Sequence, residues 1–188
     1  RCLSLINQVL TNLTPISSLT SFENLYIFEN SSINDISVLR NIKSLKYLTL
    51  YSCPNVTDIE PLKDLTNLVY LDFTDTKKIN DFSYLSELVN LEELHINRII
   101  DYHNYGISFL SKLIKMKILY MSNTYFLDKS PLGNLENLEI LDLNNDMMGG
   151  DLSMLKNCKK IRYLSLYSNK ITGIETLADM LLLEKVFL

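Results

Sequence analysis

Apolar residues recur along the chain in the pattern L-x-x-L-x-L, and a string of apolar residues at three-residue spacing follows each copy. The copies begin at Phe22, Leu45, Leu68, Leu91, Met116, Leu138, Ile161 and Leu183. Their first positions are 22 to 25 residues apart, and Leu3-Ser4-Leu5 forms a partial copy before them. A fixed period of this length is typical of a repeat protein in which each repeat is one structural unit.

Two elements are predicted in each repeat. The alternation at the end of L-x-x-L-x-L predicts a short strand, because successive side chains of a strand point to opposite faces. The three-residue spacing, as in Val56, Ile59, Leu62 and Leu65, predicts a 3₁₀ turn or a short helix on which these residues share one side.

Helix-start signals precede this second element. Acidic residues that can cap the turn occur just before it at Asp35, Asp58, Asp81 and Asp151. Pro61 and Pro131 stand at its first positions, where the missing N–H of proline costs nothing.

The full pattern, L-x-x-L-x-L-x-x-(N/C/T)-x-I-x-D-I-x-x-L-x-x-L, resembles the leucine-rich repeat, in the variant found in internalins and phosphatase regulators. The resemblance covers essentially the whole chain. It implies an α/β solenoid of about eight repeats, with a concave parallel sheet and short 3₁₀ or helical turns on the convex side. We therefore expect residues 1–188 to form a single domain.

Both ends of the chain fall within a predicted strand, without a polar cap. Because a solenoid needs capping repeats over its terminal cores, we expect the chain to be part of a longer protein that supplies flanking repeats or domains.

The ninth position of each repeat is expected to point inward and to satisfy backbone groups at the bend, provided that its side chain is polar. These positions are Asn30, Cys53, Thr76, Ile99, Thr124, Asp146 and Asn169. Ile99 cannot form such bonds, and it belongs to the 25-residue repeat, so we expect the chain to bulge there.

Composition narrows the class of protein. The net charge of −4 argues against a nucleic-acid partner, and no apolar run approaches the roughly 18 residues of a membrane span. The three cysteines are widely spaced, which predicts buried thiols and neither a disulfide framework nor a zinc site. The localisation stays open, with the cytoplasm favoured over the cell surface.

Tyrosine is concentrated at the strand positions that face the concave side. Seven of the eleven tyrosines fall on four ladders of equivalent positions there. Strand preference alone would explain part of this enrichment, but exposed aromatic side chains are also typical of binding hot spots. The predicted partner-binding residues are Tyr26, Phe28, Tyr47, Tyr51, Tyr70, Asp72, His95, Arg98, Tyr120, Tyr163 and Tyr167.

The aromatic residues form an early and a late group, and a polar stretch separates them. Asp72 and His95 are ladder neighbours in this stretch, so a metal or acid–base pair is conceivable, although a solvated polar strip is favoured. The loop at 97–106, which includes His103, is either a neutral insertion or a place for binding residues. The pair Gly149-Gly150 predicts an irregular bend and no phosphate loop.

The function indicated by the sequence is protein recognition on the tyrosine-rich concave face, without catalysis and without a cofactor. Three alternatives stay open: a phosphatase-regulating intracellular scaffold, an internalin-like surface adhesin, and an accessory domain of a larger enzyme. In each of them the partner is another protein.

Overall fold

The computed structural model describes residues 1–7, 9–79, 81–99, 106–124, 126–145 and 149–188. Short strands and 3₁₀ helices alternate up to β7, and β7 and β9 are each followed by a second short strand before the next helix. The strands are β1 (Cys2–Ile6), β2 (Asn24–Phe28), β3 (Tyr47–Tyr51), β4 (Tyr70–Asp72), β5 (Glu93–His95), β6 (Ile118–Tyr120), β7 (Ile140–Asp142), β8 (Gly149–Asp151), β9 (Tyr163–Ser165), β10 (Lys170–Thr172) and β11 (Lys185–Phe187).

One parallel sheet runs the length of the molecule. It contains nine strands in the order β1-β2-β3-β4-β5-β6-β7-β9-β11, so each repeat pairs with its neighbours in the sequence. The register aligns equivalent residues of successive repeats, as in the pairs Leu25↔Leu48 and Leu48↔Leu71. This confirms the predicted solenoid and its repeat register.

The opposite side of each repeat is a 3₁₀ helix. The helices span Thr14–Ile16, Ser37–Asn41, Glu60–Asp64, Ser83–Glu87, Ser108–Lys112, Ser130–Asn134, Leu152–Leu155 and Ile174–Asp179. Pro61 and Pro131 lie at the first positions of their helices, as predicted.

The predicted acidic caps form. Asp35, Asp58, Asp81 and Asp151 each accept a hydrogen bond from the backbone N–H two residues later, at 2.8 Å. Asp128, which the sequence pattern did not single out, does the same to Ser130 at 2.9 Å. Each carboxylate thereby satisfies an N–H that the following helix leaves without an internal partner.

The core lies between the sheet and the 3₁₀ helices, and the repeat leucines fill it. Leu45, Leu48, Leu50, Leu62 and Leu65 all have 0% exposure in one repeat, and equivalent residues are buried in its neighbours. A Leu or Ile side chain buried in this way contributes roughly 1.5–3 kcal/mol relative to an exposed one.

Three of the seven ninth positions satisfy backbone groups with a polar side chain, as predicted. The Thr76 hydroxyl donates to the Leu50 carbonyl at 2.5 Å, and Thr124 donates to the Met121 carbonyl at 2.7 Å. The Asn169 amide donates to the carbonyls of Leu143 and Leu166, both at 2.8 Å. These bonds tie the bend that follows each strand to the preceding repeat or to the strand itself.

Two ninth positions make no such bond. Ile99 is fully buried and apolar, and Asn30 is fully buried with neither amide atom hydrogen-bonded. Asn30 thus points inward as predicted, but it does not satisfy the backbone. Asp146 lies outside the described residues.

Two of the three cysteines are buried, as predicted. Cys53 and Cys158 are buried, and burial raises the pKa of each thiol to about 11. Cys2 is exposed on β1, so the expectation of three buried thiols is wrong at this position. The reason is that Cys2 aligns with Asn24 and, through it, with Tyr47, at the strand position that faces the concave side.

Asparagine has a second structural role at the turn that leads into the strands. The side-chain amides of Asn67, Asn90 and Asn137 each donate to a backbone carbonyl of the preceding repeat, at 2.8–2.9 Å. Buried or turn carbonyls need such partners. The high asparagine content of the chain therefore stabilises the contacts between repeats.

A short second sheet was not predicted. β8 pairs in parallel with β10, so the pair Gly149-Gly150 belongs to a strand and not to an irregular bend. Gly173, immediately after β10, has φ +70°, and a Cβ built there would lie 2.1 Å from the capping carboxylate of Asp151. Glycine is required at this position both by the backbone and by the space.

No helix in the described ranges is long and apolar enough to span a membrane. Val186 of β11 and Leu188, which follows it, occupy inward-facing positions but are 36% and 54% exposed. The expectation that residues 1–188 form one domain of a longer protein stays a prediction.

Candidate recognition surface

The concave surface is formed by the residues that alternate with the buried leucines along each strand. In β3, Leu48 and Leu50 face the core, whereas Tyr47 and Tyr51 lie on the opposite side. The parallel register then places Tyr70 beside Tyr47 and His95 beside Asp72. The strands thus present ladders of side chains that run across the repeats.

Four of these side chains form a continuous series of rings, which we call the aromatic row: Tyr47, Tyr70, His95 and Tyr120. The ring centroids of Tyr47 and Tyr70 are 6.3 Å apart, those of Tyr70 and His95 5.3 Å, and those of His95 and Tyr120 4.6 Å. These separations lie in the range of favourable aromatic pairs. The row crosses four adjacent strands, from β3 to β6.

Two smaller aromatic groups flank the row. Tyr26 stacks on Phe28 at 6.3 Å, and Phe28 lies 6.1 Å from Tyr51. Tyr163 contacts Phe187 at 5.5 Å near the end of the sheet. Tyr167, after β9, stands apart from these groups and is 61% exposed.

The predicted separation into an early and a late aromatic group is wrong in one respect. His95 was assigned to a polar stretch between the groups, but its imidazole contacts the rings on both sides and extends the early group to Tyr120. The sequence prediction grouped His95 with polar residues because histidine can carry a charge, and it did not consider that the flat imidazole ring can pack against tyrosine. The ladder register was the available signal, because it places His95 beside Tyr120.

Glu93, and not Asp72, is the polar partner of His95. The Nε2 atom of His95 lies 2.7 Å from Oε1 of Glu93, on the same strand. Asp72 uses Oδ1 to accept a hydrogen bond from the Thr74 backbone at 2.7 Å. Within the described ranges, no group of three or more potential His, Cys, Asp or Glu ligands is placed to hold a metal ion.

Asp72 is also less accessible than predicted. Its exposed fraction is 8%, and Thr49, its neighbour on the ladder, is still more buried at 2%. Asp72 therefore contributes charge to the surface but little contact area.

Short polar side chains fix the backbone where the strands end. Asn97 accepts from the Ser122 N–H at 2.8 Å, and Asn144 accepts from the Tyr167 N–H at 2.7 Å. Asp142 accepts from the Asn144 N–H at 3.0 Å and from the Ser122 hydroxyl. The surface is thereby held in place by bonds both within and between repeats.

Two tyrosines of the row, Tyr70 and Tyr120, have a raised phenol pKa. Burial, followed by the charges of Asp72 and Glu93, raises the pKa of Tyr70 to about 12. Burial, followed by the charges of Glu93 and Asp142, also raises the pKa of Tyr120. Tyr70 and Tyr120 thus lie within the field of three carboxylates.

The fourth predicted ladder is not part of the strands. Its residues all adopt a left-handed backbone with φ between 48° and 62°, and they form the turn after each strand: Asn7, Glu29, Ser52, Asp75, Arg98, Asn123, Asn145 and Ser168. Arg98, a predicted contact residue, is exposed on this turn at the rim of the sheet. Residues 100–105 of the adjacent loop, including His103, lie outside the described residues.

Comparison with known proteins gives two matches of sequence. The family model described as leucine-rich repeats in two copies matches residues 43–87. Receptor-like protein 41 of Arabidopsis thaliana is 32% identical over 82 residues, which is 40% of this chain and 9% of the relative. The chain therefore corresponds to a small part of that longer protein.

Solved structures resemble almost the whole chain. Internalin C2 from Listeria monocytogenes is 27% identical with a TM-score of 0.83, over 98% of this chain and 79% of that one. A second internalin from the same organism is 26% identical with a TM-score of 0.66, over 96% of this chain and 58% of that one. Such solenoids typically act as protein-interaction modules, because their repeats create an extended concave surface. The repeats, the nine-stranded concave sheet and these similarities together establish that the chain is a leucine-rich repeat protein.

Proposed function

We propose that the chain is a non-catalytic recognition module that binds a protein partner on its concave face. The observation that carries this proposal is the aromatic row, which lies on the exposed side of a sheet held rigidly by hydrogen bonds between repeats. Aromatic side chains provide large contact area at a low entropic cost, and they dominate the binding energy of many interfaces.

The contact surface would include the row, the two flanking aromatic groups and the rim. We assign the anchoring contacts to the tyrosines and Phe28, and a peripheral contact to Arg98. Asp72 would act through its charge, since its side chain is largely covered. The predicted partner-binding residues thus keep their place in the proposal, with different roles.

The non-catalytic part of the proposal rests on the chemistry of the side chains. Burial raises the pKa of the Cys53 and Cys158 thiols, which disfavours the reactive thiolate. His95 is paired with Glu93 and packed between rings, and its side chain is 21% exposed. These groups support a binding surface better than a nucleophile with its base.

A second candidate, an internalin-like protein of the cell surface, is favoured by one observation. The internalin C2 structure matches 98% of this chain with a TM-score of 0.83. Protease treatment of intact producing cells tests it: the protein is expected to be cleaved if it is displayed outside. Protection on intact cells and cleavage after lysis would contradict this candidate and would suit the phosphatase-regulating alternative, which rests on the repeat variant alone.

Site-specific photo-crosslinking tests the recognition proposal. A benzophenone amino acid is introduced at Tyr51 or Tyr167 on the concave side, and at Val89 or Ile114 on the turns after the 3₁₀ helices. In cells that produce the protein, we expect one protein to be captured from the concave positions and not from the turns. Equal capture from both sides, or none from the concave side, would refute the proposal.

Binding of the captured partner is then measured with purified components. The change of Tyr47, Tyr51 and Tyr70 to Ala should weaken binding at least about tenfold, since aromatic hot spots commonly exceed 1.4 kcal/mol. Tyr84→Ala is the matched control, because Tyr84 lies on the 3₁₀ helix Ser83–Glu87. Circular dichroism shows that each variant is folded.

A further inference from the structure

We propose that the aromatic row binds lysine or arginine side chains of a basic segment of the partner, with Tyr70 and Tyr120 as the ring platforms. This inference rests on the proposed recognition function and specifies the chemistry of the partner. It follows from the position of the rings, from the charge around them and from their spacing.

The rings are suitably placed to accept a cation. Tyr70 and Tyr120 are half-buried, so part of each ring stays accessible while its environment is partly desolvated. A guanidinium or ammonium group over the face of a tyrosine ring is attracted by the ring quadrupole, and the attraction grows as water is removed. Raised phenol pKa values keep both rings neutral.

The charge around the rings is negative and is not compensated by lysine or arginine. Asp72, Glu93 and Asp142 surround the two platforms, and none of them forms an ion pair with Lys or Arg among the described residues. Carboxylates beside the sheet behave differently, because Glu23 pairs with Lys46 at 3.0 Å and Glu92 with Lys117 at 2.7 Å. Among the described residues, the carboxylates beside the two platforms thus lack the Lys or Arg partner that Glu23 and Glu92 have.

This difference favours a cationic partner over a neutral or acidic one. Carboxylates near low-dielectric ring faces create a potential that attracts positive charge and repels negative charge. Glu93 lies between the two tyrosines through its contact with His95, so it can act on either platform.

Spacing of the platforms predicts the pattern of the basic segment. The centroid separations through His95 place the Tyr70 and Tyr120 rings at most about 10 Å apart. Three residues of a polyproline II segment rise about 9 Å and bring the side chain back to the same face. The partner segment is therefore expected to carry basic residues three positions apart.

The test uses a defined peptide, acetyl-Arg-Gly-Gly-Arg-amide, and its isosteric analogue with citrulline in place of arginine. Binding to the full chain is followed by NMR of the tyrosine rings at low salt. We expect the arginine peptide to bind at least about tenfold more tightly than the citrulline peptide, and to lose affinity as salt is added. Equal affinities of the two peptides would overturn the proposal.

Variants locate the interaction. The double change Glu93→Gln and Asp142→Asn keeps side-chain oxygens that can accept the same hydrogen bonds but removes two charges, so arginine-peptide affinity should fall about tenfold. Tyr70→Phe with Tyr120→Phe retains both ring faces and should preserve binding within about twofold, whereas the corresponding changes to Leu should abolish the arginine preference. Glu23→Gln with Glu92→Gln is the matched control and should have no effect. Loss of affinity in this control equal to that of the concave pair would overturn the proposal.

Failure of this proposal can be distinguished from failure of the recognition function. If concave positions crosslink a partner but Glu93→Gln with Asp142→Asn binds that partner normally, the concave face is the binding surface and the preference for cations is wrong. If the concave positions capture no protein, the recognition function itself fails.

Discussion

Two asparagines in the same repeat position provide the sharpest test of how the bends are stabilised. Asn30 is fully buried and neither of its amide atoms is hydrogen-bonded. Asn169 is half-buried and donates to two backbone carbonyls at 2.8 Å. Replacing each of them with leucine, which has a similar shape, should change stability in opposite directions.

The expected change in the free energy of unfolding depends on whether the side-chain amide of each asparagine is hydrogen-bonded. A buried polar group without a partner costs about 1–3 kcal/mol, so Asn30→Leu is expected to stabilise the protein by about that amount. Ile99 shows that an apolar side chain fits the equivalent position, since it is fully buried there. Asn169→Leu leaves the carbonyls of Leu143 and Leu166 without this donor and should cost about 1–2 kcal/mol, reduced by partial exposure.

Urea unfolding followed by far-ultraviolet circular dichroism measures both changes. In thermal unfolding, 1 kcal/mol corresponds to about 2–4 °C for a chain of this size. Asn30→Asp is the control, because a buried carboxylate without a partner should destabilise strongly. A lower stability of Asn30→Leu than of the wild type would refute the reasoning and would mean that the Asn30 amide has a stabilising partner.

Three further predictions concern strain, thiol exposure and pH. Gly173→Ala should lower the free energy of unfolding by about 1–3 kcal/mol, because its backbone is left-handed and the Asp151 carboxylate is close. Gly106→Ala should lower it less, because φ is +69° there but no atom lies within 4 Å. A thiol reagent should label Cys2 in the folded protein and the other two cysteines only after unfolding. Hydrogen bonds from Ser37 and Ser130 lower the pKa of Asp35 and Asp128. The two ionised carboxylates therefore stabilise the fold above the unfolded pKa of about 3.9, and this stabilisation is lost as the pH falls through the lower folded pKa.

The pH prediction is checked with Asp35→Asn and Asp128→Asn. Asparagine keeps an oxygen that accepts the N–H but does not titrate, so the stability deficit of the double variant should shrink as the pH falls below about 3.9. A deficit that stays constant would contradict the assigned role of the charge. Equal losses of stability in Gly173→Ala and Gly106→Ala would contradict the role of the Asp151 carboxylate. Equal labelling of all three thiols in the folded protein would contradict the burial of Cys53 and Cys158.

Much of the fold was predictable because the repeat imposes the same constraint many times. Asp35 and Asp58 were identified as caps since each precedes a three-residue apolar spacing, and the structure confirms both. Thr76 was identified at the bend for the same reason. Here one local pattern, repeated in register, determines both the strand and the turn.

Details that the repeat does not constrain were missed. Glu29 and Arg98 adopt left-handed backbone, which residues of these types do not signal, and the predicted fourth ladder was therefore placed on the strands. β8 was missed because glycine is a poor strand former. At the site, the register correctly made Asp72 and His95 neighbours, but the choice of Glu93 as the partner of His95 depends on side-chain rotamers that the sequence does not show.

The asparagine bonds between repeats have a consequence for how the molecule can change in evolution. Asn67, Asn90 and Asn137 donate across 24, 24 and 23 positions of sequence, to the repeat immediately before their own. Loss or duplication of one complete repeat would bring a new carbonyl to the same place and preserve the bond. The array can therefore gain or lose whole repeats without losing these bonds. Each strand keeps its own concave side chains, so selection can act on the contacts of each repeat separately.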